Sequence, residues 1–214
     1  MNPGDPDGIG RSAVQGGFDA KRAFDLGVSG AALLLTWPVL AIIAVAVRLD
    51  SKGPALFRQE RVGLHGRTFR IHKFRSLRTG APGALISPTD DSRTTRIGSV
   101  LRRTKLDELP QLLDVFAGHM SLVGPRPEVP RYVAMWPEAD RRLILSVRPG
   151  ITDPASIALR NEADELAAAE DPERHYIESL LPRKTALYVD YVNSRSFAGD
   201  LAVIARTLIT VIRD

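Results

Sequence analysis

The longest feature in the hydrophobic pattern is an uncharged stretch of 22 residues, from Leu26 to Val47. Its length suits a membrane helix, which needs about 20 apolar residues. Lys21 and Arg22 precede this segment and further basic residues follow it, so neither flank is favoured for translocation. Pro38 lies near the middle, where the missing backbone N–H predicts a break or a kink.

Each arm beside this proline has about 10–12 residues, or roughly 15–18 Å of helix, which is half of a ~30 Å hydrocarbon core. The pattern therefore predicts a re-entrant helix-break-helix over residues 19–49. A kinked full span and a buried core helix remain alternatives. A signal peptide is disfavoured because its apolar region usually has about 7–15 residues. Residues 1–18, rich in Gly, Asp and Pro, are predicted to be a disordered tail.

The rest of the chain, residues 50–214, reads as one soluble domain. Alternating apolar and basic residues over 55–78, punctuated by glycines, predict a β-hairpin. Three helices are predicted: one over 96–104, a second that starts at an N-cap at Asp107, and helical structure within 161–194. Gly118 should end the second of these. Its apolar stripe is expected in the core: Leu109, Leu112, Leu113 and Phe116. The amphipathic stretch 201–213 is expected to pack on the core or on a membrane surface.

Composition excludes several classes of site. The chain has no Cys, which excludes disulfides, Cys-ligated zinc and thiol nucleophiles. Its four His have no metal-ligand spacing, so a zinc enzyme is not expected. The net charge of +4 hides an uneven distribution, because residues 48–105 carry 14 Lys or Arg against 4 Asp or Glu. Such a block predicts an anionic partner, which is a nucleic acid, an acidic lipid or a phosphorylated substrate, with a solvated basic face as the alternative.

Two kinds of side chain stand out near this block. Asp107 and Glu108 are adjacent carboxylates, interpreted either as a helix cap with a first-turn acid or as a nucleophile and magnesium ligand. Arg126 lies between two prolines and Arg148 precedes Pro149, so each guanidinium is presented from a stiff turn. Either arginine can be structural or can bind a phosphate.

Several motifs in this order resemble the bacterial sugar transferases, the monotopic phosphoglycosyl transferase family, from about Lys21 to the C terminus. Any one motif is weak, but their order and spacing are specific. They are KRAFD (21–25), the Pro-broken segment, PALFRQERVG (54–63), FRIHKFRSLR (69–78), RIGSVLRRTKLDELPQLLDV (96–115), MSLVGPRP (120–127) and VRPGIT (147–152).

The resemblance implies an α+β fold: a mostly helical small catalytic domain with a short β-hairpin, a re-entrant membrane helix and interfacial amphipathic helices. It implies that Asp107 and Glu108 are the catalytic pair and the magnesium ligands, with Asp107 as nucleophile. The implied phosphate and nucleotide-sugar ligands are basic: Arg102, Arg126, Arg148, Lys73 and Arg75. Trp37 and Pro38 occupy the implied membrane hairpin.

Three positions depart from the family pattern. Trp37 stands where a serine usually precedes the proline, and an indole N–H cannot accept a hydrogen bond as a hydroxyl can. His119 replaces a commonly acidic residue before Met120. Residues 153–162, DPASIALRNE, replace a Gly-Trp-Gln-type segment, so the sugar is not implied.

The implied reaction transfers a phosphosugar from a UDP-sugar to polyprenyl (undecaprenyl) phosphate and releases UMP through a phosphosugar-aspartyl intermediate, initiating lipid-linked glycan or exopolysaccharide assembly. The implied location is the cytoplasmic face of a bacterial inner membrane, against phospholipid. The alternatives are a non-catalytic membrane-anchored module that binds anionic lipid or nucleic acid, and a nucleotide-sugar hydrolase. No nucleic-acid motif is present, so nucleic acid is not an expected partner.

Overall fold

The computed structural model describes residues 8–80, 86, 88, 89 and 91–213, and of residues 8–19 and 211–213 only the backbone. The first helix, α1, runs from Gly8 to Asp50 and contains Pro38 without an interruption. The expected break at this proline is therefore not seen, and the re-entrant geometry is not confirmed. The prediction of a disordered tail stays untested, and residues 1–7 lie outside the described part of the chain.

The predicted hairpin is confirmed. Strands β1 (Leu56–Val62) and β2 (Thr68–Phe74) pair antiparallel, with Arg58 opposite His72 and Phe57 opposite Lys73. Helices α2 (Arg96–Arg103) and α3 (Gln111–Ala117) follow, and Thr95 caps α2 through its hydroxyl. Gly118 ends α3 with a φ of 91°, as expected for a left-handed C-cap.

The structure also contains a second pair of strands, which are parallel. This pair joins β3 (Ser121–Val123) to β4 (Gly150–Thr152). A Cβ on Gly150 would lie 2.1 Å from the nitrogen of Gly124, so the two chains approach each other closely enough to require glycine. This close approach fixes the turn that continues from β3 into Arg126.

The remaining elements are helical, which the sequence predicted for 161–194 and for the amphipathic stretch 201–213 but not for 130–158. They are α4 (Pro130–Val133), α5 (Glu138–Ile144), α6 (Pro154–Ala158), α7 (Glu162–Ala167), α8 (Pro172–His175), a π-helical turn (Tyr176–Leu180), α9 (Leu181–Ser194) and α10 (Phe197–Arg213). Their main core contains Tyr132, Trp136, Tyr176 and Tyr188. The mixed α and β architecture that we expected is confirmed at this level.

One face of α1 packs on the domain both before and after Pro38. Before the proline, Phe24 and Leu33 join a core formed by β2, α3 and β3. After it, Ile43 and Val47 pack with residues of β2 and α2. The opposite face is exposed and apolar: Leu34, Leu35, Val39, Ile42, Val45 and Leu49. Among the described residues, only Ala20–Asp50 is a helix long and apolar enough to cross a membrane by length and composition.

Candidate active site

The two adjacent carboxylates lie in a short turn between α2 and α3. This 3-10 turn, Leu106–Glu108, begins after Lys105, whose φ of 58° places it in the left-handed region. The prediction of Asp107 as the helix N-cap is wrong, because α3 starts four residues later and Pro110 occupies the position before it. The left-handed residue starts a separate turn, which leaves the Asp107 carboxylate free to face β2.

Glu108 holds two cations from distant parts of the chain. The Nζ atom of Lys73, on β2, lies 2.8 Å from its Oε1 atom. The guanidinium of Arg126 donates to both carboxylate oxygens, with Nη1 at 3.1 Å from Oε2. Only 16% of the Glu108 side chain is exposed. The turn, the hairpin and the loop after β3 therefore meet at this carboxylate.

These cations determine the charge on Glu108. Burial by itself would raise the pKa of this carboxyl, but Arg126 and Lys73 outweigh burial and hold the pKa well below its usual range. The carboxylate in turn raises the pKa of Arg126 well above its usual value. Glu108 is therefore ionised at neutral pH and anchors two positive groups, which does not suit a proton donor.

Asp107 has a different environment from its neighbour. It is buried, with 6% of its surface exposed, and its Oδ2 atom lies 3.6 Å from Lys73 Nζ. Burial raises the pKa of Asp107, Lys73 opposes that rise, and the negative charge of Glu108 adds to it. A poorly solvated carboxylate that faces a cation without being fully paired is suited to act as a nucleophile.

The loop that carries Arg126 is itself held in place. Arg61, on β1, donates hydrogen bonds from its Nη1 atom to the carbonyl oxygen of Pro127, at 3.0 Å, and to Glu128 Oε1, at 3.2 Å. Glu128 is buried and also accepts from the Tyr176 hydroxyl. The stiffness that the flanking prolines predicted for Arg126 is thus supported by contacts from β1 and from the π-helical turn.

Two predicted phosphate ligands have other partners in the structure. Arg75 is buried and donates to backbone carbonyls at the end of α1, 2.8 Å to Ser51 and 3.2 Å to Val47. Arg102 donates 3.4 Å to Thr94 Oγ1 and 3.3 Å to the carbonyl of Pro88. The structure therefore gives Arg75 a capping contact and places Arg102 against the segment before α2.

Arg148 lies at the opposite end of α3 from the carboxylate pair. Its Nε atom donates 2.9 Å to the carbonyl of Gly118. Arg22, from α1, donates 2.8 Å to Val115 and 3.2 Å to Phe116 at the same helix end. Carbonyls at a helix C-terminus attract cations. The structure thus brings Lys73, Arg126, Asp107 and Glu108 together and leaves Arg148 outside this group.

The remaining expectations near the site are met unevenly. Trp37, in the predicted hairpin, is 64% exposed beside Pro38, which stays helical. The predicted core stripe of α3 is partly wrong, because Leu112 is buried whereas Leu113 and Phe116 are 43% and 53% exposed. The buried side of α3 is mixed, because Gln111 and Asp114 are buried next to the core residues Leu112 and Val115.

The buried polar residues of this region were missed in the sequence. Asp107, Gln111 and Asp114 are spaced four and three residues apart and are all buried. Gln111 has 0% exposure, and neither polar atom of its side chain has a hydrogen-bond partner among the described residues. The i, i+4, i+7 spacing was available as a signal, but polar residues on a helix usually face water.

Magnesium was expected at the carboxylate pair, and the donor chemistry there fits it in part. Mg²⁺ favours oxygen ligands and is often held by one or two carboxylates with substrate phosphates and water. Asp107 offers a carboxylate of this kind. Glu108 has both oxygens engaged by cations, and no group of three His, Asp or Glu that could hold a metal occurs among the described residues.

The buried carboxylate pair beside two cations can be compared with known proteins. The model of the family described as bacterial sugar transferase matches residues 17–214. The chain belongs to this family. This transferase family is the one that the motifs resemble, so that prediction is confirmed.

Curated relatives of this sugar transferase have related names. It is 38% identical over 201 residues to the exopolysaccharide production protein PSS of Rhizobium leguminosarum bv. phaseoli, covering 89% of this chain and 94% of the relative. It is 37% identical over 195 residues to the UDP-glucose:undecaprenyl-phosphate glucose-1-phosphate transferase of Caulobacter vibrioides, covering 88% and 68%. It is 39% identical over 196 residues to the undecaprenyl-phosphate glucose phosphotransferase of Komagataeibacter xylinus, covering 88% of the chain but 35% of that longer relative.

Proposed function

We propose that this sugar transferase moves a phosphosugar from a UDP-sugar to polyprenyl phosphate and releases UMP. The observation that carries the proposal is the buried Asp107 carboxylate, 3.6 Å from Lys73 and adjacent to a Glu108 that fixes Lys73 and Arg126. The names of the relatives support undecaprenyl phosphate as the acceptor and a UDP-sugar as the donor. Glucose appears in two of those names and is the first sugar to test.

In the first step, an oxygen of ionised Asp107 attacks the β-phosphorus of the UDP-sugar. The bond from that phosphorus to the bridging oxygen breaks, and UMP leaves with the electron pair. Lys73 and Arg126 lie where they can neutralise charge that develops on the phosphoryl oxygens. The product is a phosphosugar joined to Asp107 as an acyl phosphate.

In the second step, an oxygen of polyprenyl phosphate attacks the same phosphorus, which releases the Asp107 carboxylate and forms polyprenyl diphosphate-sugar. Splitting the transfer allows one small site to use a soluble donor and a membrane acceptor in turn. Bound Mg²⁺, held by Asp107 and the donor diphosphate, would supply charge neutralisation at the phosphates. Glu108 keeps the two cations in place during both steps.

We further propose that α1 stays on the cytoplasmic side of the membrane rather than crossing it. The domain packs against α1 through Phe24 and Leu33 on one side of Pro38 and through Ile43 and Val47 on the other. A helix crossing the bilayer would carry one of these contacts, with its charged neighbours, into hydrocarbon. The exposed apolar face of α1 suits contact with phospholipid in one leaflet, with both ends of the helix on the cytoplasmic side.

The reaction is tested by measuring UMP release from a panel of UDP-sugars, with and without polyprenyl phosphate and magnesium. We expect Asp107→Asn to lose nearly all release, whereas Asp190→Asn, an exposed aspartate on α9, keeps it. Near-normal turnover by Asp107→Asn would contradict the assignment. Steady UMP release without the lipid acceptor would indicate the hydrolase alternative, and no release with any donor would favour the binding module.

The intermediate is tested with a donor labelled on its β-phosphate, in a single turnover without acceptor. Label should remain on the wild-type protein and be absent from Asp107→Asn. Addition of polyprenyl phosphate should then move the label to lipid. A label that stays on the protein after acceptor addition would exclude it as an intermediate.

Topology can be tested because the chain has no native Cys. We expect Gln15→Cys and Ala55→Cys to react with an impermeant thiol reagent from the same side, the cytoplasmic one. Labelling of the two positions from opposite sides would establish a full span. The unaltered chain serves as the blank.

A further inference from the structure

Asp114 is a buried carboxylate on α3 to which the mechanism gives no task. It is 1% exposed and, like Asp107 seven residues earlier, it contacts a residue of β2. Both of its oxygens are bound by one residue of β2. The backbone N–H of His72 donates 2.9 Å to Oδ2, and the ring nitrogen Nδ1 lies 2.8 Å from Oδ1.

These two bonds lie at the edge of β2 that faces away from β1. The hairpin has only two strands, so Asp114 provides an acceptor that a third strand would otherwise provide. The next residue along β2 is Lys73, whose ammonium reaches Glu108 and faces Asp107. The strand is therefore attached to the α3 region at two consecutive residues, His72 and Lys73.

The two attachments differ in stiffness. The Lys73 side chain has four rotatable carbon–carbon bonds, so its contact with Glu108 does not by itself fix the position of the strand. The contact between Asp114 and His72 includes a backbone donor, so it fixes the strand itself. A displacement of about 1 Å at a reacting group is enough to lower a rate by about 100-fold.

We infer that Asp114 and His72 are positioning residues that hold Lys73 in register with the carboxylate pair. A carboxylate can only accept a hydrogen bond, so Nδ1 of His72 carries the proton in this contact. The inference rests on the proposed function for its kinetic part. The tautomer of His72 is a separate consequence that needs no turnover.

The kinetic test uses substitutions that remove one or both bonds. Asp114→Leu removes both, and His72→Phe removes the ring bond but keeps the backbone bond. Asp114→Asn can keep both, since its amide accepts from the backbone and donates to a ring of the other tautomer. We expect kcat for UMP release to fall about 10- to 100-fold in Asp114→Leu, less in His72→Phe, and within about 3-fold of normal in Asp114→Asn.

Coupling to Lys73 distinguishes positioning from general support of the fold. In a Lys73→Met background, Asp114→Leu should lower kcat by less than about 3-fold further, because the group that it positions is gone. Asp200→Leu is the matched control. Asp200 is also a buried carboxylate, and its two side-chain partners, Lys21 and the Tyr191 hydroxyl, lie on α1 and α9 rather than on β2. The fold-change in kcat of the double variant Asp200→Leu/Lys73→Met should equal the product of the two single fold-changes, as expected for independent sites.

Independent effects of Asp114→Leu and Lys73→Met would overturn the inference while leaving the proposed reaction intact. Because Asp114→Leu can fail to fold, the same cycle is run with His72→Phe. Nitrogen NMR of ¹⁵N-histidine-labelled protein should show Nδ1 of His72 protonated, with the ring changing tautomer in Asp114→Asn. A ring protonated only at Nε2 in the wild type would equally contradict the contact.

Discussion

Arginines lie at both ends of α3 but have different partners there. At the N-terminal side, Arg126 and Lys73 neutralise the Glu108 carboxylate beside Asp107. At the C-terminal side, Arg148 and Arg22 bind backbone carbonyls. In the sequence, Arg126 and Arg148 were equivalent candidates for phosphate ligands, because prolines stiffen the backbone beside each of them. The difference shows that the local sequence of a stiffly held guanidinium does not determine which group it contacts.

The largest difference between the two ends is expected from a substitution of Arg126. Arg126→Leu should lower UMP release by at least about 100-fold, because it removes a cation from the phosphoryl site and leaves Glu108 with one partner. It should also lower the free energy of unfolding by roughly 1.5–3 kcal/mol, the usual contribution of a hydrogen bond to a charged group. Kinetics and urea denaturation measure the two effects.

Arg126→Lys is the control for this substitution. It keeps the charge but loses the two-pronged contact with Glu108. We expect intermediate activity from it. Full activity in Arg126→Leu would remove Arg126 from the phosphoryl site.

Lys73→Met tests the balance of charges around Asp107 at the N-terminal side of α3. Lys73 opposes the rise that burial causes in the pKa of Asp107. Its removal should therefore raise that pKa further and move the acid limb of kcat/KM to higher pH, since the ionised carboxylate is the nucleophile. Lys52→Met, at an exposed lysine, should leave the profile where it is. An acid limb that stays fixed or moves to lower pH would contradict the role of Lys73.

The pH dependence of stability follows from the same end of α3. Folding lowers the pKa of Glu108. The ionised carboxylate therefore contributes to stability at pH values above the pKa of the unfolded state, and this contribution is lost as the pH falls through the pKa of the folded state. Acid titration of the unfolding free energy should show less of this loss in Glu108→Gln than in the wild type. An unchanged acid dependence in Glu108→Gln would show that its pairing with Arg126 and Lys73 contributes no stability.

The C-terminal end should respond mainly in stability. Arg148→Met should lower the free energy of unfolding by about 1 kcal/mol, because it removes the bond to Gly118 and a cation at a helix C-terminus. UMP release per folded protein should fall far less than in Arg126→Leu. A loss of activity as large as that of Arg126→Leu would return Arg148 to the nucleotide-sugar site implied by the family.

The smallest effect is expected at Gly118. Its φ of 91° suits glycine, and a Cβ there would lie 3.3 Å from the Arg22 guanidinium. Gly118→Ala should therefore lower the melting temperature by an amount that corresponds to about 1 kcal/mol. Gly66→Ala is a useful comparison, because its φ is also positive, at 77°, but a Cβ would meet nothing within 4 Å. A larger loss at Gly66 would show that the contact with Arg22 is not a constraint.

Elements encoded by neighbouring residues were predictable. The hairpin, α2 and the end of α3 at Gly118 follow from alternation, capping and glycine placement, which act over a few residues. The adjacency of Asp107 and Glu108 was visible directly in the sequence. Family motifs then identified this pair as the site to examine, and the match over residues 17–214 confirms the family.

Contacts between distant residues were not predictable from these local patterns. The resemblance implied Arg75 as a phosphate ligand together with Lys73, yet Arg75 donates to backbone carbonyls at the end of α1. Asp107 was expected to cap a helix, but a left-handed Lys105 separates it from α3. Such outcomes depend on which backbone carbonyl or carboxylate a neighbouring element presents, and the spacing along the chain does not record that.

The sequence by itself determined the apolar segment, the hairpin, the helices on either side of the carboxylate pair, the absence of thiol chemistry and the pair itself, because each depends on residue type and short-range spacing. The tertiary structure decided which cations face that pair. It also placed Asp114 against β2 and packed α1 on the domain at both sides of Pro38. Those arrangements arise because buried charges and backbone groups must find partners, and most of the partners available here lie tens of residues away along the chain.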